Sequence, residues 1–149
     1  MVNYWLMSAK DHRGRDGKPV PARSVVERRV ANGVWFVSYR NPYLRKVSPG
    51  DVGILLALGR ERKELLGDCR VIGGPYPVDA ARAALIEGPP SSALTHYLKI
   101  EGKLWPQPKD LMDYLGRLSF VGETSRWYAY FQGGLKPLTE ADVAVLLSR

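Results

Sequence analysis

A chain of 149 residues with 45% hydrophobic side chains is long enough for one well-buried core and short for two, so one domain is expected. A single cysteine, Cys69, excludes an internal disulfide and any multi-cysteine metal site, and no apolar run nears the ~20 residues needed to span a bilayer. The N-terminus also lacks a basic stretch followed by an apolar one, which points to a cytoplasmic protein without a membrane partner. The net charge of +7 is unevenly placed: ten basic against three acidic residues lie between Lys10 and Lys46, and the rest of the chain balances. A segregated, arginine-rich surplus is the footprint of a surface that meets a phosphate backbone.

In chain order, Asn3 to Met7 reads as a strand with apolar residues on both faces, and Lys10 to Pro21 as an aperiodic basic loop. Ser24 to Asn32 has helix punctuation, with Ser24 and Glu27 as a capping box and Gly33 as the left-handed stop. Val25, Val26 and Val30 are expected to face the core, and Arg28 and Arg29 the solvent. Val34 to Val37 is a short strand, and Ser38 to Tyr43 an irregular connection. Ser48-Pro49-Gly50-Asp51 has type II turn chemistry and delivers Val52 to Leu58, an apolar run that reads as the central strand.

Gly59 to Gly67 is expected to connect to a strand over Asp68 to Ile72 that breaks at Gly73-Gly74-Pro75 near Tyr76. A short helix over Asp79 to Ile86 follows, ended by Glu87-Gly88-Pro89-Pro90. His96 onward alternates as a strand that Pro106 to Pro108 stop, before a helix from Lys109 to Leu115. Leu118 to Val121 and the aromatic Arg126 to Phe131 read as further strands, with Gly133 and Gly134 loosening the chain behind them. Thr139 caps a C-terminal helix with Val143, Leu146 and Leu147 facing inward. About six strands and three or four helices make an α+β fold, a curled or closed mixed sheet flanked by helices.

Aromatic and basic residues interleave from Trp35 to Lys46. A base needs an apolar face to stack on, its edge needs donors and acceptors, and its phosphate needs positive charge; Trp35, Ser38, Asn41, Arg40 and Arg45 offer all three. By composition alone Trp35 is more readily a core residue. The phosphate-binding candidates are Lys10, Arg13, Arg15, Lys18, Arg23, Arg29, Arg40, Arg45 and Lys46.

The opening NYWLM, the Val34-Trp35 pair, Arg40-Asn41 and Leu44-Arg45, the Pro-Gly-Asp turn, Pro75 to Pro77 followed by Asp79, and the closing PLTEAD together resemble an EVE domain of the PUA-like superfamily. The resemblance runs nearly end to end and rests on order and spacing. It implies a small pseudobarrel flanked by helices, similar to YTH domains, which hold a methylated adenine in an aromatic cage. It further implies that Trp35 is a pocket wall, with Ser8, Ser38, Asn41 and Tyr76 bordering the pocket. No motif places a second cage tryptophan; Trp127 and Tyr130 are the candidates. The function read from this is recognition of a modified base in RNA or DNA, with no cofactor implied. The alternatives are an ASCH-like enzyme acting on RNA or a base, using Lys10, Asp11 or Asp79, and an RNA-binding module without base discrimination.

Overall fold

The structure is a computed structural model that describes residues 2–87, 94–131 and 134–148. The predicted turn forms as read: Gly50 takes φ 97°, and Asp51 N donates to Ser48 O at 3.1 Å. It delivers β5 (Val52–Leu58), whose five central residues are buried. The strand β1 (Tyr4–Lys10) runs parallel to β5 on one side, and β6 (Lys63–Pro77) antiparallel on the other. With β4 (Val34–Val37), β7 (His96–Asp110) and β8 (Leu135–Leu138), these make a six-stranded mixed sheet in the order β4-β7-β6-β5-β1-β8. The expected α+β pseudobarrel architecture is therefore present. A separate two-stranded hairpin, β2 (His12–Arg13) and β3 (Pro19–Val20), occupies the basic loop.

Strand periodicity sorts the core onto two faces of the sheet. Trp5, Met7 and Ala9 of β1, Leu55 and Ala57 of β5 and Trp35 of β4 pack with Ala22, Val25 and Val26 of the helix α1 (Ala22–Asn32). Leu6, Ile54 and Leu56 point the other way, onto Leu111, Leu115, Phe131 and the C-terminal helix α3 (Glu140–Leu147). Cys69 lies on the first face 3.5 Å from Met7 Sδ, and burial pushes its thiol up to about 12, which makes it an inert core group.

Several elements differ from the sequence reading, each for a local reason. The helix α1 begins at Ala22 behind Pro21, and its first N–H is met by Asp11 Oδ1 at 2.7 Å, so the Ser24 capping box does not form. Gly33 still closes it at φ 69°. The strand β6 starts earlier and runs on through Gly73 to Pro77, because register shifts beside Gly67 and Gly73 absorb the glycines as bulges. The strand β7 likewise passes Pro106 and Pro108, which fall between Leu104 and Lys109 where the pairing with β6 shifts and no ladder N–H is required.

The expected helix over Lys109 to Leu115 is two 3₁₀ turns, Leu111–Asp113 and Leu115–Arg117; Leu111 and Leu115 are buried and Met112 is exposed. Leu118 to Val121 is irregular chain around a turn at Ser119 and Phe120, and Thr124–Phe131 is 3₁₀ helix kinked at Arg126 rather than strand, since Trp127 and Phe131 must reach the same core. The helix α2 (Ala80–Ala83) is capped by Asp79, and its expected terminator at Gly88 to Pro90 lies outside the described residues, as does Gly133. The capping box on α3 pairs Thr139 with Asp142, and Leu147 faces solvent instead of the core. No helix among the described residues is long and apolar enough to cross a membrane.

Candidate nucleic-acid interface

The helix α1 turns one stripe toward the sheet at intervals of three and four, Ala22, Val25, Val26 and Arg29. Arg29 thus occupies a core position, 3% exposed, and does not face solvent as its place in the sequence suggests. Burying a guanidinium is costly unless it is paired. Its Cζ stands 4.8 Å from the centroid of the Trp35 ring, and its Nε donates to Glu87 Oε1 at 3.2 Å. Glu87, just after α2, is equally buried. His12, on β2, completes the cluster with Nδ1 3.6 Å from Glu87 Oε2.

The hydrogen bonding of this cluster is incomplete. Trp35 Nε1 and Glu87 Oε2 are both buried, and neither has a hydrogen-bond partner among the described residues. Burial lowers the pKa of Arg29, with Glu87 opposing. Burial, followed by the neighbouring Arg29 charge, also lowers that of His12, against the pull of Glu87 and Asp11. A planar cation on an indole, with one carboxylate oxygen and one indole N–H lacking hydrogen-bond partners among the described residues, forms a small polar chamber that the Arg29 guanidinium itself fills and that is closed to solvent, Trp35 being 0% exposed.

Two clefts flank the hairpin that covers this chamber. One, of about 790 Å³, is bordered by His12 with Arg13, Arg23, Arg60 and Arg62. The other, of about 670 Å³, is bordered by Arg15, Lys18 and Arg28, and Glu87 reaches it from the buried side. Arg15 Nη2 donates to Ala83 O at 3.3 Å, tying the hairpin to the end of α2. Arg28, Arg60 and Arg62 belong to this basic rim although sequence reasoning does not select them. Only their fold neighbours reveal Arg60 and Arg62, which sit in the β5–β6 turn.

The other predicted pocket residues do not converge on Trp35. Trp127 and Tyr130 pack on the opposite face of the sheet, against the core that contains Phe131 and Leu146, so neither can form a second wall. Tyr76 is exposed on β6 and packs at a tilt against Tyr97, with centroids 5.5 Å apart. Ser8 is buried on β1, its N–H donating to Gly134 O at 3.0 Å. Ser38 and Asn41 line a separate cleft of about 430 Å³ with Arg40 and Lys136, and Asn41 Nδ2 is bound to Leu135 O at 3.1 Å. Of the phosphate candidates, Lys10, Arg13, Arg15, Lys18 and Arg23 are exposed around the hairpin and α1, and Arg40, Arg45 and Lys46 are exposed beyond β4. Arg29 alone is buried, and its place on the rim falls to Arg28.

Asp11 and Asp79, the carboxylates of the enzymatic alternative, are occupied in folding. Asp11 accepts from Ala22 N and Arg60 N, at 2.7 and 3.0 Å, and Asp79 accepts from Arg82 N at 2.8 Å. Among the described residues no group of three or more His, Cys, Asp or Glu could hold a metal ion.

No protein-family model matches the sequence, and no curated protein matches it significantly. Solved structures do share its fold. Human THYN1, in complex with DNA containing 5-methylcytosine, superposes with a TM-score of 0.62 at 13% identity, covering 98% of this chain and 96% of that one. The Pho92 YTH domain, in complex with m6A, gives 0.61 at 8% identity over 97% of this chain and 81% of its own. A hypothetical protein from Leishmania major gives 0.62 at 15% identity, covering 99% and 93%. The fold is thus a pseudobarrel shared with the DUF55 domain of human thymocyte nuclear protein 1 and with the Pho92 YTH domain, as the sequence resemblance implied.

Proposed function

We propose that this chain binds nucleic acid and holds one modified base against Trp35, while the β2–β3 hairpin and the exposed side of α1 contact the phosphates. The observation that carries this reading is the face of Trp35, already covered at cation–π distance by the Arg29 guanidinium, with a donor and an acceptor alongside that have no hydrogen-bond partner among the described residues. A base needs the same three things. Two proteins of this fold are seen with a modified base, 5-methylcytosine in one and m6A in the other, which is consistent with a base-reading role here. The exposed Lys10, Arg13, Arg15, Lys18 and Arg23 surround the chamber on the side of its two clefts and supply the phosphate contacts. Arg40, Arg45 and Lys46 extend the basic surface toward the Ser38–Asn41 cleft and serve the flanking backbone.

Binding to matched modified and unmodified oligonucleotides tests this. Reversing Arg13, Arg15 and Arg28 together is expected to weaken all binding and to flatten the log-log salt dependence by about 0.7–0.9 for each phosphate that the protein no longer neutralises. Trp35→Ala is expected to remove about 1–3 kcal/mol of stacking and to lower discrimination more than overall affinity. Unfolding measured on the same variant guards the interpretation: a destabilised protein that keeps its preference overturns the role of Trp35.

A further inference from the structure

The cluster around Trp35 specifies a charge as well as a shape. A guanidinium is a planar, delocalised cation, and Arg29 lays one on the indole while Glu87 supplies the counter-charge from its edge. The pair is poorly closed. One bond joins it, Nε to Oε1 at 3.2 Å. A well-made charge-assisted contact is about 2.7–2.9 Å, and an arginine–carboxylate fork makes two of them. Among the described residues Glu87 Oε2 and Trp35 Nε1 have no hydrogen-bond partner, Oε2 meeting only the His12 Nδ1 at 3.6 Å, and Glu87 borders the open basic cleft of about 670 Å³.

We propose that Arg29 stands in for the ligand, and that the chamber takes a planar cation, namely a nucleobase made positive by methylation of a ring nitrogen. Such a base displaces the Arg29 side chain from Trp35 and takes over Glu87 as its counter-ion. This rests on the reading of Trp35 as the base-stacking residue. Charge balance selects the ligand: a neutral base that displaced Arg29 would leave the buried Glu87 carboxylate facing only His12, 3.6 Å away and held toward its neutral form by burial, whereas a cationic base replaces one positive charge by another. The hydrogen-bonding groups agree. A 7-methylguanine edge presents two neighbouring N–H donors, which suit both oxygens of a carboxylate, and a carbonyl oxygen that an indole N–H can meet. The guanidinium now in place uses only one of these features.

The test uses the full chain with 7-methylguanosine and 1-methyladenosine monophosphates, each against its unmethylated parent, and with oligonucleotides carrying 5-methylcytosine or N6-methyladenine. The methylated cations are expected to bind about tenfold or more tighter than their parents. Glu87→Gln is expected to bring that ratio near one, and Arg29→Met, which leaves nothing to displace, to strengthen cation binding. The Arg29 Nε–H resonance is expected to lose its buried position when the cation saturates the protein. Equal binding of cation and parent by the unaltered protein, a preference that Glu87→Gln leaves unchanged, or weaker cation binding by folded Arg29→Met each overturns the proposal. Trp35-dependent binding of the neutral modified bases without any cation preference sinks this inference and leaves the base-reading function standing. Absence of any Trp35-dependent binding sinks both.

Discussion

Trp5 and Trp35 belong to the same core, Trp5 beside the buried Asp51 and Trp35 across Arg29 from the buried Glu87, yet their polar groups are treated differently. Trp5 Nε1 donates to Asp51 Oδ2 at 2.9 Å, and the same carboxylate accepts from Ser48 N at 2.9 Å and Asn3 N at 3.1 Å. The Trp5 and Asn3 bonds tie the start of β1 to the turn before β5, and the Ser48 bond closes that turn. Around Trp35 the indole N–H and one Glu87 oxygen have no hydrogen-bond partner among the described residues. Unsatisfied buried groups are uncommon and each calls for a reason. Within one core, the satisfied carboxylate holds the fold together, and the one with an oxygen left over is the one that the proposed function assigns to a ligand.

The comparison breaks most readily at Asp51. Asp51→Ala strands one indole N–H and two backbone N–H groups, so it is expected to cost about 3–5 kcal/mol in a denaturant titration, without selective effect on base preference. Replacing the two tryptophans by phenylalanine sharpens the contrast at similar volume. Trp5→Phe removes a buried charge-assisted bond and Trp35→Phe removes none, so the first is expected to be about 1–2 kcal/mol more destabilising than the second. Equal costs would mean that Trp35 is tied down as firmly as Trp5, and would remove the basis for calling its chamber a site.

The same contrast explains what is legible in the sequence. Turn and core signals are local: Pro49-Gly50-Asp51 before β5, Gly33 after α1, and the Thr139 cap of α3 all correspond to structure. Long strands look shorter in the sequence than they are because Gly73, Pro106 and Pro108 carry breaker chemistry, and only pairing partners show that bulges accommodate them. The strand β8, four residues with Pro137 inside, has too little pattern to stand out. Arg126 to Phe131 has strand composition but helical spacing, with Trp127 and Phe131 meeting edge-to-face at 5.9 Å between centroids. Arg29 is legible in principle, since Ala22, Val25 and Val26 already define the stripe it completes; a helix taken to start at Ser24 hides it. Glu87 is not, because it joins Arg29 across 58 residues and only the tertiary fold brings them together.

Asp142 offers a second satisfied carboxylate and a smaller effect. It accepts from Ser119 N at 2.8 Å, Ser119 Oγ at 2.7 Å and Thr139 N at 3.2 Å, pinning the Leu118–Val121 segment to the start of α3. Burial by itself raises its pKa, but these hydrogen bonds outweigh burial and leave it below the ordinary value. A depressed folded-state pKa gives stability that is complete above the unfolded value and lost as pH falls through the folded one. Asp142→Ala is therefore expected to cost about 2 kcal/mol near neutrality, with the gap to the unaltered protein closing in acid. A gap that stays constant down to strongly acidic pH would mean that the carboxylate charge is not what these donors recognise.

His12 reports on the unsatisfied side of the comparison, and its effect on stability is expected to be the smallest. Its pKa is lowered from 6.5, first by burial and then by Arg29, while Glu87 and Asp11 pull the other way. A lowered folded-state pKa means the unfolded chain binds the proton more readily, so this contribution to stability is complete above the unfolded pKa of about 6.5 and declines as pH falls below it. His12→Asn is expected to remove that decline, and a proton titration followed through the imidazole resonances gives the pKa directly. The same titration reads the charge inside the chamber. Arg29→Met deletes the repelling cation and leaves Glu87, so the His12 pKa is expected to rise. Saturating Arg29→Met with a cationic base restores a positive charge beside His12 and is expected to lower the pKa again, whereas a neutral base leaves it high. If Arg29→Met leaves the His12 titration where it was, the guanidinium charge does not govern this chamber, and the contrast between a closed Asp51 site and an open Glu87 site reduces to hydrogen bonding alone.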